Sequence, residues 1–376
     1  MQEWQTLLRR GQAQDIVKLL LDQAVRHRVS DIHIEPMDQH VRVRLRRDGV
    51  LHTAGLLEKE RLDMVTARIK IMASMDVANK RLPQDGRFVW TCSDHTVDMR
   101  ISTMPTVRGE KTVIRLLDAQ GIQLDLDCLG MDQAVVALLR DLTRRKKGLF
   151  LYGGATGSGK TTTLYSVLRE LDRPEISIAT LEDPVEYKID GICQSQIHAK
   201  GGLVFQNGLR ALLRQDPDIL VIGEIRDAET AQIAVQAALT GHVVFSTLHI
   251  SQAAEAPLRL LDMGVEPYLV ADALLGITSQ QLARRRCPHC QGRQGGCAHC
   301  LYSGYDGRFC LCEVIPVNSH MRQGIRQRVS TAALQEAAQQ DGAILMDHLV
   351  RQSLASGMTD RAEIRRIYYM GEGRWN

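Results

Sequence analysis

Aromatic residues make up only 4% of this 376-residue chain, which leaves few platforms for stacking the bases of a single strand. Neither sign of charge dominates: 47 lysines and arginines face 44 aspartates and glutamates, for a net charge of +3. Nothing in that balance advertises a nucleic-acid or membrane surface. No stretch approaches the ~18 consecutive apolar residues of a bilayer-spanning helix. The first residues, MQEWQTLLRRGQAQD, lack the apolar core of a signal peptide. These absences predict a cytosolic protein with no direct nucleic-acid partner. In that compartment the nine cysteines are expected to be thiols or metal ligands rather than disulfides. Six of the nine fall between residues 287 and 312. No internal repeat and no low-complexity tract is present.

What the chain does have is 44% apolar residues, enough for a substantial core, and a length suited to two or three domains. Residues 15–29 place Ile16, Leu19, Leu20 and Gln23/Ala24 at helical spacing. DIHIE (31–35) alternates like a strand, as does VRVRLRRDG, whose Asp48-Gly49 signals a hairpin turn. VDMRISTM and KTVIRLL bracket the turn PTVRGE. Residues 1–120 therefore read as a small α/β domain and 121–129 as a linker. From residue 130 to 376 the pattern changes. The apolar runs GLFLYGG, ISIATLE, ILVIGE and HVVFST alternate with helices at 132–142, after residue 160 and at AETAQIAVQAAL. Buried strands separated by helices predict a parallel sheet covered on both faces.

GATGSGKT (154–161) fits G-x-x-x-x-G-K-[ST] without deviation. Gly154, Ala155, Thr156, Gly157, Ser158 and Gly159 are expected to wrap backbone N–H groups around phosphate oxygens. Lys160 would reach the β- and γ-phosphates, and the Thr161 hydroxyl, followed by Thr162, would meet Mg²⁺. The run ILVIGE then raises a question. Such a strand usually ends in a magnesium-holding aspartate, and here Gly223 and Glu224 follow it. Glu182, after a second strand in TLEDPVEY, supplies another carboxylate at the same carboxyl edge of a parallel sheet. We expect Glu182 to polarise the attacking water and Glu224 to orient Mg²⁺-bound water or the γ-phosphate. Swapped roles satisfy the same chemistry. Asp183 and Glu186 read as a solvated loop.

CPHCQGRQGGCAHC supplies Cys287, Cys290, Cys297 and Cys300 as two CxxC knuckles around a short glycine-rich loop. Four thiolates suit tetrahedral Zn²⁺, with an unmetallated thiol cluster, an iron–sulfur site or disulfides as the other readings. His289 or His299 is a substitute for one thiolate. Cys310 and Cys312 alternate on one side of an expected strand and read as packing.

SDIHIEP, RLPQDGR, VDMRISTMPTVRGEKTVIRLLD, GATGSGKTTTLYS, TLEDPVEY, LRQDPDILVIGEIRDAET and TGHVVFSTLH follow one another in an order that resembles the secretion-ATPase family. That family comprises the motors of type II secretion and type IV pilus assembly, related to conjugation ATPases. The resemblance covers about residues 13–370. It implies a RecA-like ATPase domain tethered to a small amino-terminal domain, closing into a homo-hexamer that binds ATP. It implies Glu182 as the catalytic glutamate and makes Gly223-Glu224 an ordinary family variant. On VDMRISTM, Asp98, Arg100 and Ser102 share the face opposite Val97, Met99 and Ile101. The family carries arginine fingers on this strand and the next, which implies that role for Arg100 and Arg115. Arg210 and Arg214 match a further arginine pair. His242 and His249 match a histidine box that senses the γ-phosphate. Assembly-type members carry a tetracysteine zinc subdomain, which retraction motors generally lack; the spacer here is much shorter than theirs. The family also usually carries an additional amino-terminal domain that docks on an inner-membrane platform protein, and this chain begins almost at the second domain. The resemblance implies a cytoplasmic motor associated with the inner membrane through that platform. Rival readings are a pilus-retraction ATPase, a DNA-translocating motor, and a nucleotide-binding scaffold without turnover. The cysteines oppose the first, the balanced charge and few aromatics oppose the second, and the two glutamates oppose the third.

Overall fold

Alternating residues in the first third of the chain become an antiparallel sheet because one face is covered and the other is not. The computed structural model describes residues 11–92, 95–117 and 124–368. The chain divides into two compact units, Met1–Ile122 and Gln123–Asn376. In the first unit the helices are α1 (Ala13–Arg26) and α2 (Leu62–Met72). The strands are β1 (Asp31–Pro36), β2 (His40–Arg47), β3 (Val50–Glu58), β4 (Gln84–Cys92), β5 (His95–Thr106) and β6 (Gly109–Leu117). They run in the order β3-β2-β1-β6-β5-β4, each antiparallel to its neighbours. Asp48 and Gly49 both adopt positive φ between β2 and β3, which is the backbone a two-residue hairpin turn requires. Ile16, Leu20, Leu21, Val65 and Ile69 of the helices pack on Ile32, Ile34, Val41, Val97, Met99 and Ile101. The buried stripe of α1 includes Val17 and Leu21, while the expected Leu19 is only half-buried.

One charge pair stands inside this unit. Lys70 of α2 is 1% exposed, and its Nζ donates to Glu110 Oε1 at 2.7 Å and to the Asn79 carbonyl at 2.9 Å. The pair ties α2 to β6 and to the loop leading into β4. Removing one partner leaves the other charge buried and alone, so Lys70→Ala is expected to destabilise this unit by about 3–5 kcal/mol. Denaturant unfolding measures this. A loss below ~1 kcal/mol would mean that water reaches Glu110 and the pair is not structural.

The second unit is built on β7 (Gly148–Gly153), β8 (Ile178–Glu182), β9 (Cys193–Gln196), β10 (Ile219–Ile222), β11 (Val243–Leu248), β12 (Leu274–Arg286) and β13 (Tyr305–Pro316). Their order is β13-β12-β7-β11-β10-β8-β9, parallel throughout except for β13 against β12. On one face α3 (Gln133–Thr143) and α4 (Lys160–Leu171) bury Val135, Leu139, Leu164 and Leu168. On the other, α6 (Ala228–Leu239), which follows α5 (Phe205–Leu212), buries Ala231, Ala234 and Val235. Two features differ from the sequence reading. Leu126 is buried with Val135 and Leu139, so the latter part of segment 121–129 belongs to this core rather than to a free linker; residues 121–123 lie outside the described residues. The long strand β12 was not expected, because polar Thr278, Ser279 and Gln280 interrupt its apolar pattern, yet all three are buried. Among the described residues no helix is long and apolar enough to cross a membrane.

Candidate phosphate and hydrolysis site

Parallel register decides which residues meet. Gly153 pairs with Leu248, and Ile222 pairs with both Ser246 and Leu181. The segments after β7, β8, β10 and β11 thus leave the sheet at one carboxyl edge. That edge carries the glycine loop, Glu182, Glu224 and His249.

The loop needs its glycines. Gly154, Gly157 and Gly159 have φ of 141°, 77° and 92°. A Cβ at Gly154 would lie 2.4 Å from Ser158 Oγ and 2.7 Å from the Gln280 carbonyl. The crest at Ala155, Thr156 and Gly157 is exposed, and α4 begins at Lys160, so the first-turn N–H groups and the positive end of the helix dipole lie behind the loop. Lys160 is buried, and its Nζ donates to the carbonyls of Gly154 at 2.6 Å and Ala155 at 3.0 Å. Burial lowers its pKa, and the Glu224 carboxylate pushes the other way. Thr161 and Thr162 are half-buried on the first turn. Gln280 of the unexpected strand β12 buttresses the loop, its Nε2 donating to the Ser158 carbonyl at 2.9 Å. Ser158 Oγ and Gln280 Oε1 are buried with no protein hydrogen-bond partner, so both retain capacity for a ligand or water.

Glu182 is 5% exposed and fully engaged. Thr180, two residues back on the same face of β8, donates to Oε1 at 2.6 Å, and Gln194 Nε2 stands 3.3 Å from the same oxygen. The Tyr165 hydroxyl donates to Oε2 in a short contact. Burial first, then this bond, raises the Tyr165 pKa well above its ordinary value, so the phenol stays protonated and remains a donor. Glu224 sits one residue past Gly223. Its Oε1 pairs with Arg226, and its Oε2 lies 3.7 Å from His249 Nε2. Gly223 answers the question raised by ILVIGE. Its N–H donates to the Leu181 carbonyl at 2.8 Å, and a Cβ there would sit 3.2 Å from Glu182 Cα. The close approach of the two strand ends favours glycine and leaves the carboxylate role to the next residue.

Of the other expected residues, Arg100 and Arg115 lie opposite one another on β5 and β6, exposed on the face of the first unit that its helices leave uncovered. Arg115 Nε donates to Asp31 Oδ1 at 3.0 Å. Arg210 of α5 pairs with Glu229 at 2.7 Å, and Arg214 donates to the Arg210 carbonyl at 3.0 Å. Both are exposed. His242 is a correction. It precedes β11, its carbonyl accepts from Gly148 N at the start of β7, and its Nδ1 lies 3.1 Å from the Ala237 carbonyl. Seven residue steps along an extended strand separate it from His249, about 23 Å at ~3.3 Å per residue. It therefore stands at the edge opposite the loop and is out of reach of the phosphate site of its own chain.

The four cysteines form a second candidate centre, in residues 287–304 between β12 and β13. Their Sγ atoms all lie within 4.8 Å of one another. Cys287–Cys297 and Cys297–Cys300 are 3.8 Å apart and Cys290–Cys300 3.9 Å. A tetrahedral ion with Zn–S bonds of ~2.3 Å demands S···S spacings of ~3.8 Å, so the thiol set fits zinc. Burial pushes the Cys300 thiol up, but the N–H groups of Cys297 and Gly304 and the neighbouring thiols bring it down to about 6. Burial and the Cys287 contact push Cys290 up to about 11. No histidine has to stand in for a thiolate: His289 and His299 meet each other as tilted rings with centroids 4.0 Å apart, and His299 pairs with Asp306. Cys310 and Cys312 are buried in β13 as packing residues.

Tyr165, Thr180, Gln194, Gln280 and Arg226 were not singled out from sequence. Tyr165 sits beside Leu164 and Leu168 on the buried side of α4, so its hydroxyl is indistinguishable from core until Glu182 is placed next to it.

A strand, a glycine loop and a helix on a mostly parallel sheet, with two glutamates leaving the same edge, define a RecA-like P-loop nucleotide-binding protein. The chain belongs to the Type II/IV secretion system protein family, whose pattern matches residues 9–366. It is 47% identical over 358 residues to the Type II secretion system protein HxcR of Pseudomonas aeruginosa, covering 94% of this chain and 76% of that protein. It is 42% identical over 373 residues to the Type II secretion system protein E of Klebsiella pneumoniae, covering 94% and 75%. Its fold is similar to the crystal structure of the pilus retraction motor PilT with bound ADP, at a TM-score of 0.63 and 25% identity, covering 93% of this chain and 96% of that one.

Proposed function

We propose that this chain is a homo-hexameric, Mg²⁺-dependent ATPase that drives assembly of a type II secretion pseudopilus or a type IV pilus. It would act on the cytoplasmic side of the inner membrane, through a platform protein. The observation that carries the ATPase reading is the convergence of Lys160, Glu224 and Glu182 on one sheet edge. The similarity to HxcR and to protein E supports the secretion reading over retraction, as does the cysteine cluster.

Each residue then has a task. The Lys160 ammonium leaves the Gly154 and Ala155 carbonyls for phosphate oxygens. Loop N–H groups and the free Ser158 hydroxyl take up the rest of the polyphosphate. Thr161 and Glu224 would hold and orient Mg²⁺, which would supply charge neutralisation on the polyphosphate. Glu182, aimed by Tyr165, Thr180 and Gln194, accepts the proton of the attacking water. His249, next to Glu224, reports loss of the γ-phosphate. Arg100 and Arg115 neutralise charge on the transferred group, and Arg210 and Arg214 act as an ancillary cationic pair. Closing and opening of the small domain against the ATPase domain would turn hydrolysis into movement. Cys287, Cys290, Cys297 and Cys300 would hold Zn²⁺, whose charge would neutralise the thiolates at the hairpin tip.

Glu182→Gln tests the central assignment. The amide keeps the shape and loses the base, so ATP should still bind while turnover falls at least ~100-fold. Steady-state phosphate release with a parallel nucleotide titration reads both. Near-wild-type turnover would remove Glu182 from the chemistry.

A further inference from the structure

Across the uncovered face of the first sheet, one transverse row of side chains carries an unusual load of charge. Arg87 of β4 is directly opposite Arg100 of β5, which is directly opposite Arg115 of β6. The row continues through Asp31 of β1 to Arg46 of β2. Asp31 serves the far end only, taking Arg115 Nε at 3.0 Å and Arg46 Nε at 3.4 Å. Among the described residues, Arg87 and Arg100 have no ion-pair partner. Asp85 and Asp98 stand two residues away on the same strands, and among the described residues neither forms an ion pair with a guanidinium. The three arginines border a groove of about 590 Å³ that Asp85, Ser102 and Val113 also line.

Like charges placed directly opposite in a sheet destabilise it. Arg115 has Asp31 as a counter-ion, but the Arg87–Arg100 pairing beside it has none and works against the fold that contains it. A multiply charged anion over the groove reverses the sign of that term. Guanidiniums suit such a ligand because their flat, forked donors bind two phosphate oxygens at once. We propose that Arg87 is a third phosphate-contacting arginine, completing with Arg100 and Arg115 a guanidinium row that grips the polyphosphate of the hydrolysed nucleotide. The proposal rests on the ATPase reading above and extends it to a residue on the strand before the two arginine fingers.

The experiment compares Arg87→Gln and Arg87→Lys in the full chain, with MgATP turnover measured against ATP concentration and thermal unfolding of nucleotide-free protein. Loss of a charge-assisted hydrogen bond should lower kcat/KM for Arg87→Gln about 10- to 100-fold. Lysine, a point charge, should restore only part of it. Thermal stability should hold or rise, because repulsion has been relieved. Wild-type kcat/KM in Arg87→Gln would overturn the proposal, as would a fall in melting temperature that tracks the loss of turnover. If Glu182→Gln and Arg115→Ala lose turnover while Arg87→Gln does not, this inference alone fails. If Glu182→Gln keeps its turnover, the ATPase reading beneath it fails.

Discussion

Arg115→Ala is expected to reduce ATP turnover by about 10³- to 10⁵-fold, the scale of an arginine that neutralises a transferred phosphoryl group. The substitution is clean on structural grounds. The Arg115 side chain is 66% exposed, although the carboxylate it meets, Asp31, is buried. Asp31 keeps Arg46 as a partner. The small unit should therefore stay folded and the P-loop should keep its nucleotide, since the loop is built from residues 154–162 and braced by Gln280. If the arginine acts only in the proposed hexamer, specific activity of the unaltered chain should also rise with protein concentration. The measurements are turnover at matched assembly and activity per chain across a dilution series. A variant that turns over like the parent, or an activity that stays flat from dilute chain to ring, would remove Arg115 from the reaction.

Loss of a single thiolate should have an equally large, but local, effect. Cys287, Cys290, Cys297 and Cys300 bring four sulfurs within 4.8 Å. As thiolates they would repel one another without a cation, and zinc bound in such modules contributes roughly 10–16 kcal/mol. Cys297→Ser is expected to abolish stoichiometric zinc and to unfold the segment between β12 and β13. The base of that hairpin should survive. Ladder pairing from Gly276–Pro316 to Arg284–Arg308 is continuous, and Gln280 lies within it. Nucleotide affinity should therefore persist. Metal analysis of the purified chain, with proteolysis of residues 287–304 as the structural readout, checks both halves. Absence of metal in the parent chain, purified reduced and without chelator, would leave the cysteines a thiol cluster. Loss of nucleotide binding in the variant would mean that the hairpin tip and the loop are coupled.

The two centres were legible in the sequence to different depths. GATGSGKT announces its own conformation, because its glycines permit the positive φ values and the lysine starts the helix, all within eight residues. The CxxC pairs likewise fix a ligand set, although spacing alone left His289 and His299 as alternatives. Alternation told the faces of β5 apart, since a strand with one buried side repeats every two residues. ILVIGE and TLEDPVEY could be assigned to one edge because parallel strands open in the same direction.

What the sequence determined by itself was thus every feature whose geometry closes within a few residues: the phosphate loop, the strand faces, the cysteine pairs. Tertiary structure decided whatever depends on register between distant segments. Register made Arg87 a neighbour of Arg100, buried the polar stretch of β12 behind the loop, and set Tyr165 and Gln194 against Glu182. It also separated His242 from His249, which seven residues of sequence bring close and a fully extended strand holds apart at opposite edges of the sheet. Backbone torsions are set by local sterics, whereas strand pairing is set by burial summed over the whole core, and no short stretch of sequence contains that sum.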